Sequence, residues 1–282
     1  MVDDVATATD GRRLAWLEVG DPFGVPVMHN HGAPTSRLEV QRYDAFGREH
    51  GVRLIGIDRP GYGRSDPRPG RRFEDWPADV AAVADALGVG RFFTTGISSG
   101  GPYAVVVAAA LGDRVRGAGV LCGVGDFGRA GAMEGYWPEE LVLMRLAKSD
   151  PTSLLAQLDR LGETVRADPL AFLSDRIGGH IRRDVARAFA DNLAEAFRQG
   201  GVGYAEDLTA QALPWTFDVS AIDVPVLVWH GDVDEMVPLH HALDTADRIP
   251  TGRLRVLPGL THLPTAWLLG ELVACLIDEV SD

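Results

Sequence analysis

Lysine is almost missing from this 282-residue chain: Lys148 is the only one, and every other basic residue is arginine. With alanine and glycine abundant, that skew reads as the composition of a GC-rich genome and not as a mechanism. Cysteine is nearly as scarce. Cys122 and Cys275 are the only two, and both sit in apolar runs. That excludes a disulfide framework and favours two buried thiols over a disulfide or a metal pair. Positive charge is also short. The 27 lysines and arginines face 40 acidic residues, for a net charge of −13. A nucleic-acid partner needs a basic patch, and this balance argues against one; the acidity favours solubility. No segment has 18 or more uninterrupted apolar residues, so no membrane span is expected. Residues 1–10 are polar and acidic, without a hydrophobic signal core, so the expected location is cytoplasmic.

What is present is a serine set in a tight turn, Gly96-Ile97-Ser98-Ser99-Gly100. An apolar, β-prone run (residues 91–95) precedes it, and a run of small apolar residues (103–111) that suits a buried helix follows. Strand, sharp turn and helix are the context of a nucleophile elbow, which strains the central serine and pushes its hydroxyl out of the sheet. Side chains two residues either side would collide, so both positions are glycine. Ser99 is the neighbouring candidate, but Ile97 stands two residues before it, so the spacing selects Ser98. Such a pentapeptide also occurs by chance. A serine hydroxyl is a poor nucleophile until a base takes its proton, so the turn predicts a histidine and a carboxylate elsewhere.

The rest of the chain alternates. Asp10-Gly11 marks a hairpin turn between residues 5–9 and 12–19. Strands are expected at 25–29, 52–57, 91–95, 115–121, 224–229 and 254–257, with helices at 37–50, 74–87, 103–111, 239–248 and 264–279. That order predicts an α/β protein whose mostly parallel sheet is covered on both faces, with the hairpin as an antiparallel edge. Residues 126–217 break the pattern. Amphipathic helices are expected at 138–148, 151–166 and 181–198, with no strand between them. The stretch is too long for a loop in a compact domain. The expected organisation is therefore a core of residues 1–125 and 218–282, carrying a helical insertion at 126–217.

Five landmarks now fall in order: His31-Gly32-Ala33-Pro34 after an early strand, the loop 58–65 beginning Asp58-Arg59-Pro60-Gly61 after the next, the serine turn, Gly231-Asp232-Val233-Asp234 running on to Val237-Pro238, and Gly259-Leu260-Thr261-His262. Together they resemble the α/β-hydrolase family over nearly the whole length, in its triad order of Ser, Asp, His. The resemblance implies that His262 takes the proton of Ser98 and that Asp234 orients the imidazole. The spacing before Val237 points to Asp234; Asp232 in the same loop and Asp126 after an earlier strand remain rivals. It also implies an oxyanion hole from the backbone N–H groups of Ala33 and Ser99, the latter at a helix start that favours an anion. His31 and the loop 58–66 are read as structural, and His230, His240 and His241 as structural or surface residues.

The landmarks at residues 31–34 and the helical insertion also resemble epoxide hydrolases and haloalkane dehalogenases, which attack with a carboxylate. Here the position holds Ser98, and Ser99 replaces the tryptophan that dehalogenases carry next. A serine forms an acyl-enzyme, so the expected activity is hydrolysis of a carboxylic ester of a small, partly apolar molecule. The same triad serves C–C or amide hydrolysis, and the fold also serves ligand receptors. No cofactor is implied, and no His/Cys spacing suggests a metal. The insertion is expected to roof the serine, with Phe127, Met133, Tyr136, Trp137, Leu141, Met144, Trp215 and Phe217 as packing or pocket residues. Glu134, Glu139 and Glu140 could meet a substrate ammonium or form solvated helix faces. Oligomeric state is not readable from the chain.

Overall fold

The computed structural model of the protein describes residues 1–177 and 183–281. Its centre is one eight-stranded sheet: β1 (Val2–Thr7), β2 (Arg13–Gly20), β3 (Val25–Asn30), β4 (Val52–Ile57), β5 (Phe92–Ile97), β6 (Val115–Leu121), β7 (Val226–Gly231) and β8 (Gly252–Leu257), in spatial order β1-β2-β4-β3-β5-β6-β7-β8. β2 pairs antiparallel with β1 and β4, and all other pairings are parallel. The β1–β2 hairpin turns at Gly11, whose φ of 87° suits glycine. β5 is buried at every residue, as a central parallel strand must be.

Helices cover both faces. α2 (Trp76–Ala86), α3 (Gly101–Ala110) and α9 (Leu239–Arg248) close one core around Trp76, Val80, Tyr103, Val228 and Ala242. α1 (Asp44–His50), α10 (His262–Ala266) and α11 (Leu269–Ser281) close the other around Tyr43, Phe93, Trp229, Leu269 and Leu272. Glycines on β6 let α11 approach: a Cβ at Gly119 would lie 2.7 Å from Leu272 Cδ2, and one at Gly117 3.1 Å from Leu276 Cδ1.

Two expected helices are subdivided. The segment 37–50 is a tight 3₁₀ helix to Tyr43, capped by the Ser36 hydroxyl, before α1. The tight turn lowers Val40 onto Gly56, where a Cβ would come within 3.1 Å of its methyls. The segment 264–279 breaks between α10 and α11, with the Trp267 N–H bonded back to Leu263 O and Pro264 O.

Between β6 and β7 the described residues contain five α-helices and no strand: α4 (Pro138–Ser149), α5 (Pro151–Ala167), α6 (Pro169–Ile177), α7 (Arg183–Ala196) and α8 (Val202–Gln211). They bury a third apolar cluster that includes Met144, Leu158, Leu193, Phe197, Tyr204 and Leu208. Residues 181 and 182 of the expected helix 181–198 lie outside the described residues. α6 and α8 were not expected. α8 follows Gly200-Gly201 and carries Gly203, which reads locally as a loop. In the fold that glycine lets α8 cross the loop after β4, since a Cβ there would come 2.6 Å from Tyr62 Cδ2.

Candidate active site

β3 lies between β4 and β5, so the chain leaves its carboxyl end in one direction and returns in the other. In open α/β sheets that reversal makes a crevice at the strands' carboxyl ends. The loop after β3 and the turn after β5 meet there: a Cβ on Gly32 would stand 3.6 Å from Ser98 Cβ. Ser98 has φ of 54°, in the left-handed region that non-glycine residues rarely occupy. The steric reading of the turn holds. A Cβ on Gly96 would overlap Gly100 O, and one on Gly100 would overlap Asn30 O.

His262 opens α10 just beyond β8. Its Nδ1–H donates to Asp234 Oδ2 at 2.8 Å, which leaves Nε2 to accept from the Ser98 hydroxyl at 3.1 Å. Asp234 Oδ1 accepts the backbone N–H groups of Met236 and Val237, both at 2.9 Å. Burial opposes the Asp234 charge, but hydrogen bonds from His230 and His262 hold its carboxyl well below the usual range. Burial also opposes charge on His262, yet the Cys122 sulfur and the Asp234 carboxylate hold its imidazole well above the usual value.

The other two candidate aspartates bond to other groups. Asp232 is exposed and accepts the Gly259 N–H at 2.7 Å. Asp126 accepts the N–H groups of Gly128 and Trp215 and pairs with Arg248 at 3.0 Å.

Two residues that the sequence marks only as structural or as a buried thiol lie beside this trio. His230, at the end of β7, donates Nε2–H to Val237 O at 2.7 Å and stands 3.3 Å from Asp234 Oδ2. Its only signal was its place four residues before the aspartate. Cys122, directly after β6, is fully buried with φ of 41°, and the donor atoms of Cys122, Asp234 and His262 all lie within 4.8 Å of one another. Nothing in an apolar run announces that contact.

The loop at residues 31–36 is fixed from several sides. His31 donates Nδ1–H to Gly32 O at 2.7 Å and accepts the Arg59 N–H at Nε2, so it is a neutral tautomer; burial and the Arg59 charge push its pKa well down. Glu39 accepts from Gly32 N at 3.0 Å and from His29 at 2.9 Å. The Arg59 guanidinium caps the His31 carbonyl and continues to Asp207 on α8. The loop 58–66 is packed as expected: Asp58 is fully buried on Arg37 and the Arg64 N–H.

The proposed pocket residues separate. Phe127, Tyr136 and Met144 are buried in the helical cluster beside Ala33, with Trp137 and Leu141 partly buried against it. Met133 does not join them, because it is 44% exposed on a surface turn. Trp215 does not either: it stacks on Phe217 with centroids 5.1 Å apart and belongs to the core beneath the sheet. Glu134 and Glu139 are exposed, whereas Glu140 is buried.

A mostly parallel sheet with a left-handed serine at its crossover, hydrogen-bonded to a histidine from the last strand loop, defines a class of α/β protein. The family model of the alpha/beta hydrolase fold matches residues 25–266, and the chain belongs to that family. It is 30% identical to a non-heme haloperoxidase of Rhodococcus erythropolis over 91% of each chain. It is 28% identical to a 2-hydroxymuconate semialdehyde hydrolase of Pseudomonas putida over 89% of this chain and 85% of that protein. Among solved structures, the esterase RhEst1 from Rhodococcus sp. ECU1013 shares the fold with a TM-score of 0.70 at 22% identity, covering 100% of this chain and 99% of that one.

Proposed function

We propose that this protein is a serine hydrolase that cleaves a carboxylic ester of a small, partly apolar molecule through an acyl-enzyme on Ser98. The observation that carries the reading is the continuous hydrogen-bonded line Ser98–His262–Asp234. His262 takes the Ser98 proton as the oxygen attacks the ester carbonyl, then passes it to the departing alcohol; water repeats the cycle in reverse. Asp234 holds the tautomer and stabilises the imidazolium. The N–H groups of Ala33 and Ser99 receive the carbonyl oxygen, each contributing about 2.7–4 kcal/mol to the transition state by analogy with a single oxyanion-hole donor. Residues 126–217 act as a cap over the serine, with Phe127, Tyr136, Trp137 and Met144 shaping the acyl and alcohol pockets. The esterase among the structural neighbours and the fold family support the reaction class.

The test is turnover of short p-nitrophenyl esters. Wild type is expected to hydrolyse them and to be labelled by a fluorophosphonate probe. Ser98→Ala loses on the order of 10⁴–10⁶ in kcat and all labelling. Unchanged turnover in that variant overturns the reading. The relationship to a hydrolase whose named substrate is a semialdehyde favours one second reading, C–C bond hydrolysis by the same residues. Diketone turnover exceeding ester turnover in wild type would select it.

A further inference from the structure

The helical segment buries a carboxyl group that the proposed reaction does not use. Glu140 is 7% exposed on α4, the helix that gives Met144 and Ala147 to the third apolar cluster. Gln211 on α8 donates Nε2–H to Glu140 Oε1 at 3.1 Å, and the Tyr136 hydroxyl hydrogen-bonds the same carboxyl. Gln211 is itself 2% exposed, and its Oε1 accepts no hydrogen bond. A buried acceptor without a donor is uncommon enough to need a reason. Burial pushes the Glu140 carboxyl up towards its neutral form, with only partial opposition from Gln211 and Tyr136.

This pair also has a place relative to the chemistry. The Trp137 N–H donates to Met236 O at 3.0 Å, which pins the start of α4 to the loop carrying Asp234. Glu140 lies within electrostatic range of the His262 imidazole, and Tyr136 within range of Asp234. His262 returns its proton to the departing alkoxide, so the alcohol half of an ester must lie on the His262 side.

We propose that Glu140 and Gln211 form a polar subsite for the alcohol half of the substrate, and that the preferred esters carry a free hydroxyl on that half. The inference rests on the acyl-enzyme reading of Ser98. One hydroxyl supplies the missing donor, giving its hydrogen to Gln211 Oε1 beside the Glu140 carboxyl. A substrate ammonium would instead need an ionised carboxylate, which this apolar setting disfavours.

The experiment measures kcat/KM by pH-stat for ethyl butyrate, hydroxyethyl butyrate and aminoethyl butyrate with the full chain. Fluorophosphonate labelling of Ser98 runs in parallel on every variant. Wild type is expected to prefer the hydroxyethyl ester at least about fivefold, the scale of one or two neutral hydrogen bonds. Gln211→Leu and Glu140→Leu bring the ratio close to unity while Ser98 still labels. Glu140→Gln, which keeps a donor and an acceptor, retains the preference. A wild-type ratio near unity with Ser98 labelled overturns the subsite and leaves the hydrolase reading standing. Preference for the aminoethyl ester, abolished in Glu140→Gln, overturns it in favour of an ammonium site. Absence of labelling and of turnover in wild type overturns the hydrolase reading itself.

Discussion

Arg59, on the loop after β4, meets Asp207, on α8, at 2.6 Å with both side chains fully buried. Asp207 also takes Arg71 and the hydroxyls of Tyr62 and Tyr103. Arg59 reaches back to the carbonyl of His31, one strand over. One buried aspartate thus couples the helical segment to the loop that carries Ala33.

Removing that aspartate leaves two buried guanidinium groups without their shared counter-charge. Asp207→Ala is expected to lose about 3–5 kcal/mol of unfolding free energy, measured by urea denaturation at neutral pH. Burial opposes the Asp207 charge, but the two arginines depress its pKa below the ordinary 3.8. Its contribution is therefore present above pH 3.8 and fades as pH falls through the depressed native value. A variant as stable as wild type would show that the network carries no net stability.

The raised pKa of His262 sets a pH profile. Only the neutral imidazole accepts the Ser98 proton, so kcat/KM should climb with pH along a limb whose midpoint lies above 6.5. The Cys122 sulfur is among the groups that raise it. Cys122→Ala should move that limb towards lower pH, and an unmoved limb would exclude the thiol as a cause. Linkage runs the other way for stability. The charged imidazole stabilises the fold fully below pH 6.5, and that stabilisation is lost as pH rises through the raised native value.

The acid can be assigned by a pair of substitutions. Asp234→Asn keeps the shape but removes the charge and the tautomer control, and should cost roughly 10⁴ in kcat. Asp126→Asn disturbs the pair with Arg248, and should lower stability while kcat stays within its wild-type order of magnitude. The opposite ranking would move the acid to the loop after β6.

Gly100→Ala tests the turn. Its Cβ would overlap the Asn30 carbonyl oxygen, a backbone atom that cannot rotate away. The elbow must shift, and a misplacement of about 1 Å at a reacting group costs on the order of 100-fold. Ester kcat should fall by at least that factor, with near-native circular dichroism separating misplacement from unfolding.

Much of this arrangement was legible because its signals are local. β4 at Val52–Ile57, β6 at Val115–Leu121 and α9 at Leu239–Arg248 match their sequence patterns at both ends. The glycines at 96 and 100 report the steric demand of a single turn, and Asp234 and His262 follow strands that hydrophobicity reveals. Other residues carry no such signal. α8 looks like a glycine-rich loop until Gly203 meets Tyr62, and Glu140 looks like part of a solvated helix face until Gln211 covers it.

The sequence by itself determined the alternation of most strands and helices, the serine turn, and a histidine and three candidate aspartates in loops that follow strands. Those depend on backbone sterics and periodicity within a few residues. The tertiary structure alone decided that His262 stands 3.1 Å from Ser98, that Cys122 and His230 flank Asp234, and that Arg59 meets Asp207. Each of those joins residues from separate strands or helices. Their energies depend on burial and on charges brought together across the fold, which no stretch of sequence contains.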